Sequence, residues 1–414
     1  MIPLIRPFAA LRPQPQYAAQ VAAPPYDVVS TAEARQLTAG RLWSFLHVSR
    51  PEIDLPEATD PYSPEVYVQG AANLGRMRET GVLVRDERPF YYVYRLTMGT
   101  HVQTGLVAAA SVAAYESGRI MKHELTRPDK EDDRVRHIEA LNAQTGPVLL
   151  VYPFSSEVDK LLRQVMAGPP VYDLEATGAV RHTLWVVRDE GIAESITRAF
   201  DAMQHLYIAD GHHRSAAAAR VAARRRAVGR EDTPEPAYEY FLTVSFPHTE
   251  MQILPYHRLV RDLNGLSVSE FLDKVREHFT VEQSRQAIEP GERGRFGMYL
   301  AGQWYLLTQR PDRVLPSDPV ERLDVSLLSR YLLEPVLSIH DPRRSHRIDF
   351  VGGIRGVKEL QRRVDSGEMA AAFALSPTHI EELMAVADAG ELMPPKSTWF
   401  EPKLADGLVS HVLD

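Results

Sequence analysis

The sequence predicts a mixed α/β fold, a core with an additional α/β lobe, and three observations lead there. Short β-rich apolar segments alternate with helix-period segments along the chain, the pattern of sheets covered by helices. With 414 residues, the chain is long enough to bury a sizeable core and to form two lobes or one large α/β unit. At residues 206–215 an apolar segment runs into Asp210-Gly211-His212-His213-Arg214 and then into an alanine-rich stretch, which reads as strand, tight turn and helix start.

Residues 1–50 are rich in proline, and Pro24-Pro25 forces an extended, ordered loop because proline removes a donor and biases the residue before it. Residues 44–52, with His47 and Arg50, read as a short strand that either carries a structural arginine or touches substrate. Ser63-Pro64-Glu65 opens a helix over 64–81, with a serine cap, proline at the first position and a glycine stop. Residues 90–96 and 102–112 form a hairpin around Met98-Gly99-Thr100. A helix from about Lys130 buries Val135, Ile138 and Leu141, carries Asp133, Arg134 and His137 on another side, and leads to a buried strand at 148–152. Residues 155–204 read as helix, strand and helix in support, 224–236 as a polar loop, and 240–246 and 252–256 as strands. A boundary is expected near 262–265. Beyond it come a hairpin (296–300 with 304–308), a polar linker at 309–319, helices at 325–337, 357–364 and 380–387, a strand at 370–375 and a non-helical tail over 393–403 that contains Pro394-Pro395-Lys396-Ser397-Thr398.

Composition narrows the function. The net charge of -8 argues against a dedicated nucleic-acid binder, and the basic run from Arg220 is explained by a solvated helix end. There is no cysteine, which excludes disulfides and thiolate chemistry and fits a reducing cytoplasm. No segment reads as a signal peptide or a membrane span, so a cytosolic location is expected, and a homodimer is left open.

The turn after residue 209 is the candidate active site. The first N–H groups of a helix lack internal acceptors and carry a partial positive charge, so they receive phosphate, and Gly211 lets the backbone approach. Asp210, His212, His213 and Arg214 crowd that cradle, whereas a cap needs one side chain. Adjacent histidines at a helix start diverge by about 100°, which argues against one metal shared by His212 and His213; Asp210 holding a magnesium ion carried in by a nucleotide survives. Lys122-His123-Glu124 sits after a predicted strand and before a proline-broken loop, where an acid or base can act. Lys396 lies in a segment that lacks the glycines of a P-loop, yet a lysine on a rigid loop can reach a phosphate.

On these motifs, with Arg6-Pro7-Phe8 and Pro24-Pro25-Tyr26-Asp27, the chain resembles over its whole length a bacterial family of unknown function grouped with the ParB and sulfiredoxin superfamily. The resemblance implies a nucleotide-binding core over 1–261 and a C-terminal α/β lobe over 262–414 packed on it. Sulfiredoxins carry a cysteine where this chain has His212, so their reaction is excluded. ParB proteins bind CTP and clamp DNA, but no helix-turn-helix is recognisable here. The free-serine kinases of the superfamily are closer in spelling, with an Asp-Gly-His motif followed by arginine. That resemblance implies catalytic roles for Asp210, His212, Glu124 and His123, with Glu124 as base. With the reading of the residues beside it, nucleotide contacts are expected from Gly211, His213, Arg214, Ser215, Lys122 and Lys396, and magnesium at Asp210, the Asp210 motif alone matching residue by residue. The expected function is a kinase acting on a small hydroxylated metabolite, serine first, with ATP, ADP or CTP and Mg2+. A phosphoserine-type phosphatase and a CTP-binding switch protein are the alternatives.

Overall fold

The computed structural model describes residues 3–176, 178–229, 235–310 and 316–414. Parts of the expected polar stretches 224–236 and 309–319 lie outside the described residues. The fold is mixed α/β, and it divides into two compact units, Met1–Met251 with Pro402–Asp414, and Gln252–Glu401. The expected division at 262 differs from this at both ends, for a reason of strand pairing. Gln252–Leu254 pairs antiparallel with Trp399–Glu401, while Ser410–Val412 pairs with Ala10–Pro13 and with Ala143–Gln144. Such distant partners leave no mark in local composition.

The first unit is built on a nine-stranded sheet. Its order is Ile120–Met121, Leu206–Asp210, Val148–Tyr152, Tyr240–Pro247, His101–Ser111, Tyr91–Met98, Val180–Val187, Tyr172–Ala176, with Ile5–Arg6 also on His101–Ser111. Residues 106–111 are all buried, a continuous run that is expected where both faces of a strand are covered. Leu106, Ala108, Leu150, Ile208 and Phe200 meet in its main core. Fully burying such a large apolar side chain contributes about 1.5–3 kcal/mol. Gly105 is required by close approach, since a Cβ there would meet the Phe246 ring at 2.8 Å.

Helix His212–Val228, the site helix, is longer than expected: the arginines read as the start of a loop belong to it. Its alanine-rich face lets it pack closely, Ala217 and Val221 against Val135 and Ile138 of helix Pro128–Leu141. The basic and acidic runs of these two helices answer each other. Arg220 pairs with Glu131 (3.1 Å) and Asp132 (2.5 Å), and Arg224 with Glu139 (2.9 Å). On the face toward helix Pro64–Glu79, Asp133 and His137 are buried, and Tyr67 donates to Asp133 at 2.9 Å. The expected strand at 44–52 is instead a helical turn, Leu46–Ser49, followed by a 3-10 turn, Pro51–Asp54. Arg50 there is structural, donating to the Tyr26 carbonyl (3.1 Å) and to Thr31 Oγ1 (2.7 Å).

The second unit carries a six-stranded sheet, ordered Phe279–Ser284, Gln303–Gln309, Arg295–Leu300, Ala371–Ala374, Tyr256–Val260, Ile348–Gly352. The helix expected at 325–337 is shorter, Asp324–Leu328, and continues as a π-helical turn, Ser329–Leu333. Among the described residues, no helix is long and apolar enough to cross a membrane.

Candidate functional site

The site forms where two neighbouring parallel strands end. Leu206 pairs with Ile120 and Tyr207 with Met121, so the loop after Met121 and the turn after Asp210 leave the sheet at the same end. That brings Lys122-His123-Glu124 beside the start of the site helix. Gly211 makes the turn in the left-handed region, φ 98° and ψ 27°, where a side chain is strained. It is also the N-cap, and no side chain caps the helix. The N–H groups of His212 and His213 begin the helix and have no intrahelical acceptor.

Asp210 accepts from the Gly211 N–H at 3.0 Å through Oδ1. Its Oδ2 stands 3.5 Å from Arg214 and 3.6 Å from Lys403. Burial opposes ionisation of Asp210, but Lys403 and then Arg214 hold its carboxyl well below the usual range. Arg214 folds back over the turn: a Cβ on Gly211 would lie 3.0 Å from its Nε, and one on Gly146 would lie 3.3 Å from its Cδ. Its guanidinium donates to the Pro147 carbonyl and faces Asp27 at 4.0 Å. Burial disfavours its charge, and Asp210 and Asp27 more than restore it.

His212 is 4% exposed, and its ring meets that of His123 edge-on with centroids 4.4 Å apart. Its Nδ1 lies 3.7 Å from Glu124 Oε2, and burial, then the neighbouring His123, lower its pKa well below the ordinary value. His123 is 2% exposed, and burial brings its pKa down to about 4, so it is neutral at neutral pH. His213 is half-buried, and its Nε2 accepts from the Arg127 N–H at 3.0 Å. The rim is open: the side chains of Asp27, Asp210 and Glu124 are 41%, 36% and 47% exposed.

The structure thus gathers Asp210, Gly211, His212, Arg214, His123 and Glu124 at one corner, with His213 beside them. Ser215 is fully buried, its hydroxyl donating to the His212 carbonyl at 3.0 Å, so it is turned into the helix. Lys122 lies over the Tyr115 ring at 4.7 Å. Lys396 belongs to the second unit, with its ammonium 5.5 Å from the centre of the Tyr256 ring. Sequence reasoning gave no role to Lys403 or Asp406. Asp406 is 1% exposed, and burial, opposed by Arg214, pushes its carboxyl up to about 7. Both residues lie some two hundred positions from the motif they face, and an isolated lysine or aspartate near a chain end carries no signal. Asp27 was legible only as part of a proline-rich loop. Behind Arg214 lies a small cavity of about 30 Å3, lined among others by Tyr26, Arg134, Gly146 and Asp406, room for water-sized occupants.

Chemically, the corner can receive an anion on helix N–H groups and two cations, and it holds carboxylates able to accept a proton or a cation.

The chain is similar at low level to several solved structures. A free serine kinase in complex with AMP shares 13% identity over 73% of this chain and 92% of its own, with a TM-score of 0.34. A conserved hypothetical protein from Pyrococcus furiosus shares 14% identity over 73% of this chain and 94% of its own, with a TM-score of 0.35. SbnI from Staphylococcus aureus, truncated at its C-terminus, shares 13% over 72% and 85%, with a TM-score of 0.38. No curated protein matches the chain. Residues 5–326 match the model of DUF1015, a family described as protein of unknown function, and the chain belongs to that family.

Proposed function

We propose that the protein is a nucleotide-dependent phosphotransferase that moves a phosphoryl group to the hydroxyl of a small metabolite. The observation that supports this most is the gathering of Asp210, Arg214 and Lys403 at the uncapped helix start. Asp210 Oδ2 stands 3.5 Å from Arg214 and 3.6 Å from Lys403, whereas charge-assisted N–H···O bonds close at about 2.7–2.9 Å. Both cations thus stand beside the helix start, where an incoming phosphate would meet two positive charges together with the first N–H groups of the helix.

Phosphoryl transfer asks mainly for positioning and for positive charge around the transferring group. In this reading the phosphates of ATP, ADP or CTP dock on the N–H groups of His212 and His213, flanked by Arg214 and Lys403. Asp210 takes the magnesium ion that arrives with the nucleotide. A rim carboxylate, Glu124 or Asp27, accepts the proton of the attacking hydroxyl. Serine is placed first among acceptors because the Asp-Gly-His-His-Arg spelling resembles that of free-serine kinases, and kinship with the ParB and sulfiredoxin superfamily belongs to the same reading.

The test is incubation of pure protein with ATP, ADP or CTP, Mg2+ and a panel of hydroxy amino acids, followed by phosphorus NMR. A new phosphomonoester signal that depends on nucleotide is expected. Neither nucleotide binding nor transfer with any pair would sink the reading. Phosphate release from phosphoserine without nucleotide would assign the same cradle to hydrolysis instead.

A further inference from the structure

Beside the anion cradle stands a second constellation with a different chemistry. One ligand atom each from His123, Glu124 and His212 lies within 4.8 Å of the other two. Two donors about 2.0–2.2 Å from a tetrahedral ion sit roughly 3.4 Å apart, and His212 Nδ1 is 3.7 Å from Glu124 Oε2. That pair is near the spacing a bound ion imposes, and the third donor closes on the same ion by a small side-chain movement.

A second observation points to a ligand independently of this spacing. His123 is 2% exposed, and its Nδ1 has no hydrogen-bond partner among the described residues. Its other ring nitrogen is engaged by the backbone of Ile208. That bond, N–H to carbonyl, fixes the neutral tautomer and leaves the Nδ1 lone pair as an acceptor with nothing to accept. Leaving a buried acceptor orphaned is unfavourable, and a carbonyl behind the ring is the usual support of a metal-binding histidine. The three residues also differ in exposure in a telling way. Two imidazoles form a buried floor, and Glu124, 47% exposed, stands on the open side.

We propose that His123, Glu124 and His212 bind one divalent transition-metal ion, zinc foremost, with at least one coordination position open toward the anion cradle. Two imidazoles and one carboxylate suit zinc and its neighbours, whereas magnesium prefers all-oxygen surroundings. This site is distinct from the magnesium assigned to Asp210 and does not depend on the phosphotransferase reading. If both hold, Glu124 is a ligand and Asp27 is the rim carboxylate left to accept a proton.

The test uses tag-free full-length protein, stripped with EDTA and dialysed, then titrated with Zn2+ by calorimetry and with Co2+ by visible absorption. One equivalent of Zn2+ is expected, with Co2+ giving the d–d bands of a low-symmetry site. His123→Gln and Glu124→Gln should each weaken binding at least 100-fold and remove the Co2+ bands. His213→Gln, next in the chain but outside the cluster, should stay within threefold. Glu124 is on the surface, so Glu124→Gln stays informative even if His123→Gln fails to fold. Absence of a stoichiometric Zn2+ site, or an equal loss in His213→Gln and Glu124→Gln, would overturn the proposal.

Discussion

Two buried arginines, one in each unit, are held in opposite ways. Arg214 is 9% exposed and faces carboxylates, Asp210 and Asp27 on its own side chain's reach and Asp406 behind it. Arg258 is 4% exposed and, among the described residues, donates to backbone alone, the carbonyls of Tyr256 (2.5 Å) and Pro395 (3.3 Å), with the Phe350 ring centre 5.0 Å away. Burial without a carboxylate brings the Arg258 guanidinium down to about 10, while Arg214 is held above its ordinary value. Both chains of contacts satisfy a buried cation. Only the first surrounds it with titratable groups open to solvent at a rim, and that is the arrangement a ligand site needs.

The largest expected effect sharpens this contrast. Arg214→Met removes the guanidinium that faces Asp406, Asp27 and Asp210, leaving Asp210 only Lys403, and should cost about 3–5 kcal/mol in urea unfolding. Arg258→Met loses two hydrogen bonds but also relieves an uncompensated buried charge, so it should cost clearly less. Equal losses would erase the distinction.

The pH dependence of Asp406 is of similar size. Its native pKa, about 7, is raised above the unfolded value, so the protonated form favours the native state. The stability tied to that proton is fully present below about pH 4 and is lost as pH rises through about 7, roughly 4 kcal/mol in all. Asp406→Asn should therefore flatten the stability profile between pH 4 and 7 and gain on the parent above it. A parallel pair of profiles would contradict a raised pKa for this buried carboxyl.

Gly211→Ala comes next. A side chain at φ 98° is strained, and its Cβ would press on Arg214, so a loss of about 1–2 kcal/mol is expected in thermal unfolding, together with weaker nucleotide binding. A stable variant with unchanged binding would mean that the turn has room to spare. The smallest effect belongs to the second unit's surface, where Lys274 pairs with Glu277 at 3.0 Å, both about half exposed. Breaking this pair should change stability by less than about 0.5 kcal/mol, and less still at high salt.

The corner at Asp210 was legible because its signals are local. A strand ending at Ala209, a glycine and a run of alanines fix strand, turn and helix through propensities that act over a few residues. The hairpin around Gly99 and the serine-proline start at 63–65 were legible for the same reason. The stretch at 44–52 was not: His47, Arg50 and Glu52 are held by Asp54, Tyr26 and Thr31, and those tertiary bonds override a weak β tendency. The site helix ran past its expected end because Arg224 and Arg226 are paired with Glu139, Glu116 and Glu239. The sequence splits this run between a basic helix end from Arg220 and a loop from 224, and the helix takes all of it up to Val228.

What the sequence by itself determined is therefore the mixed α/β class, most of the elements and the crowding of one carboxylate, two imidazoles and a guanidinium about Gly211. Only the tertiary structure decided which distant residues complete that corner. The parallel pairing of Ile120–Met121 with the strand before Gly211 delivers His123 and Glu124, and the return of residues 402–414 to the first unit delivers Lys403 and Asp406. The physical reason is that backbone preference is set by neighbours in the chain, whereas the meeting of charges across some two hundred positions is set by sheet register and by the entropy of closing long loops, neither of which leaves a trace in local spelling.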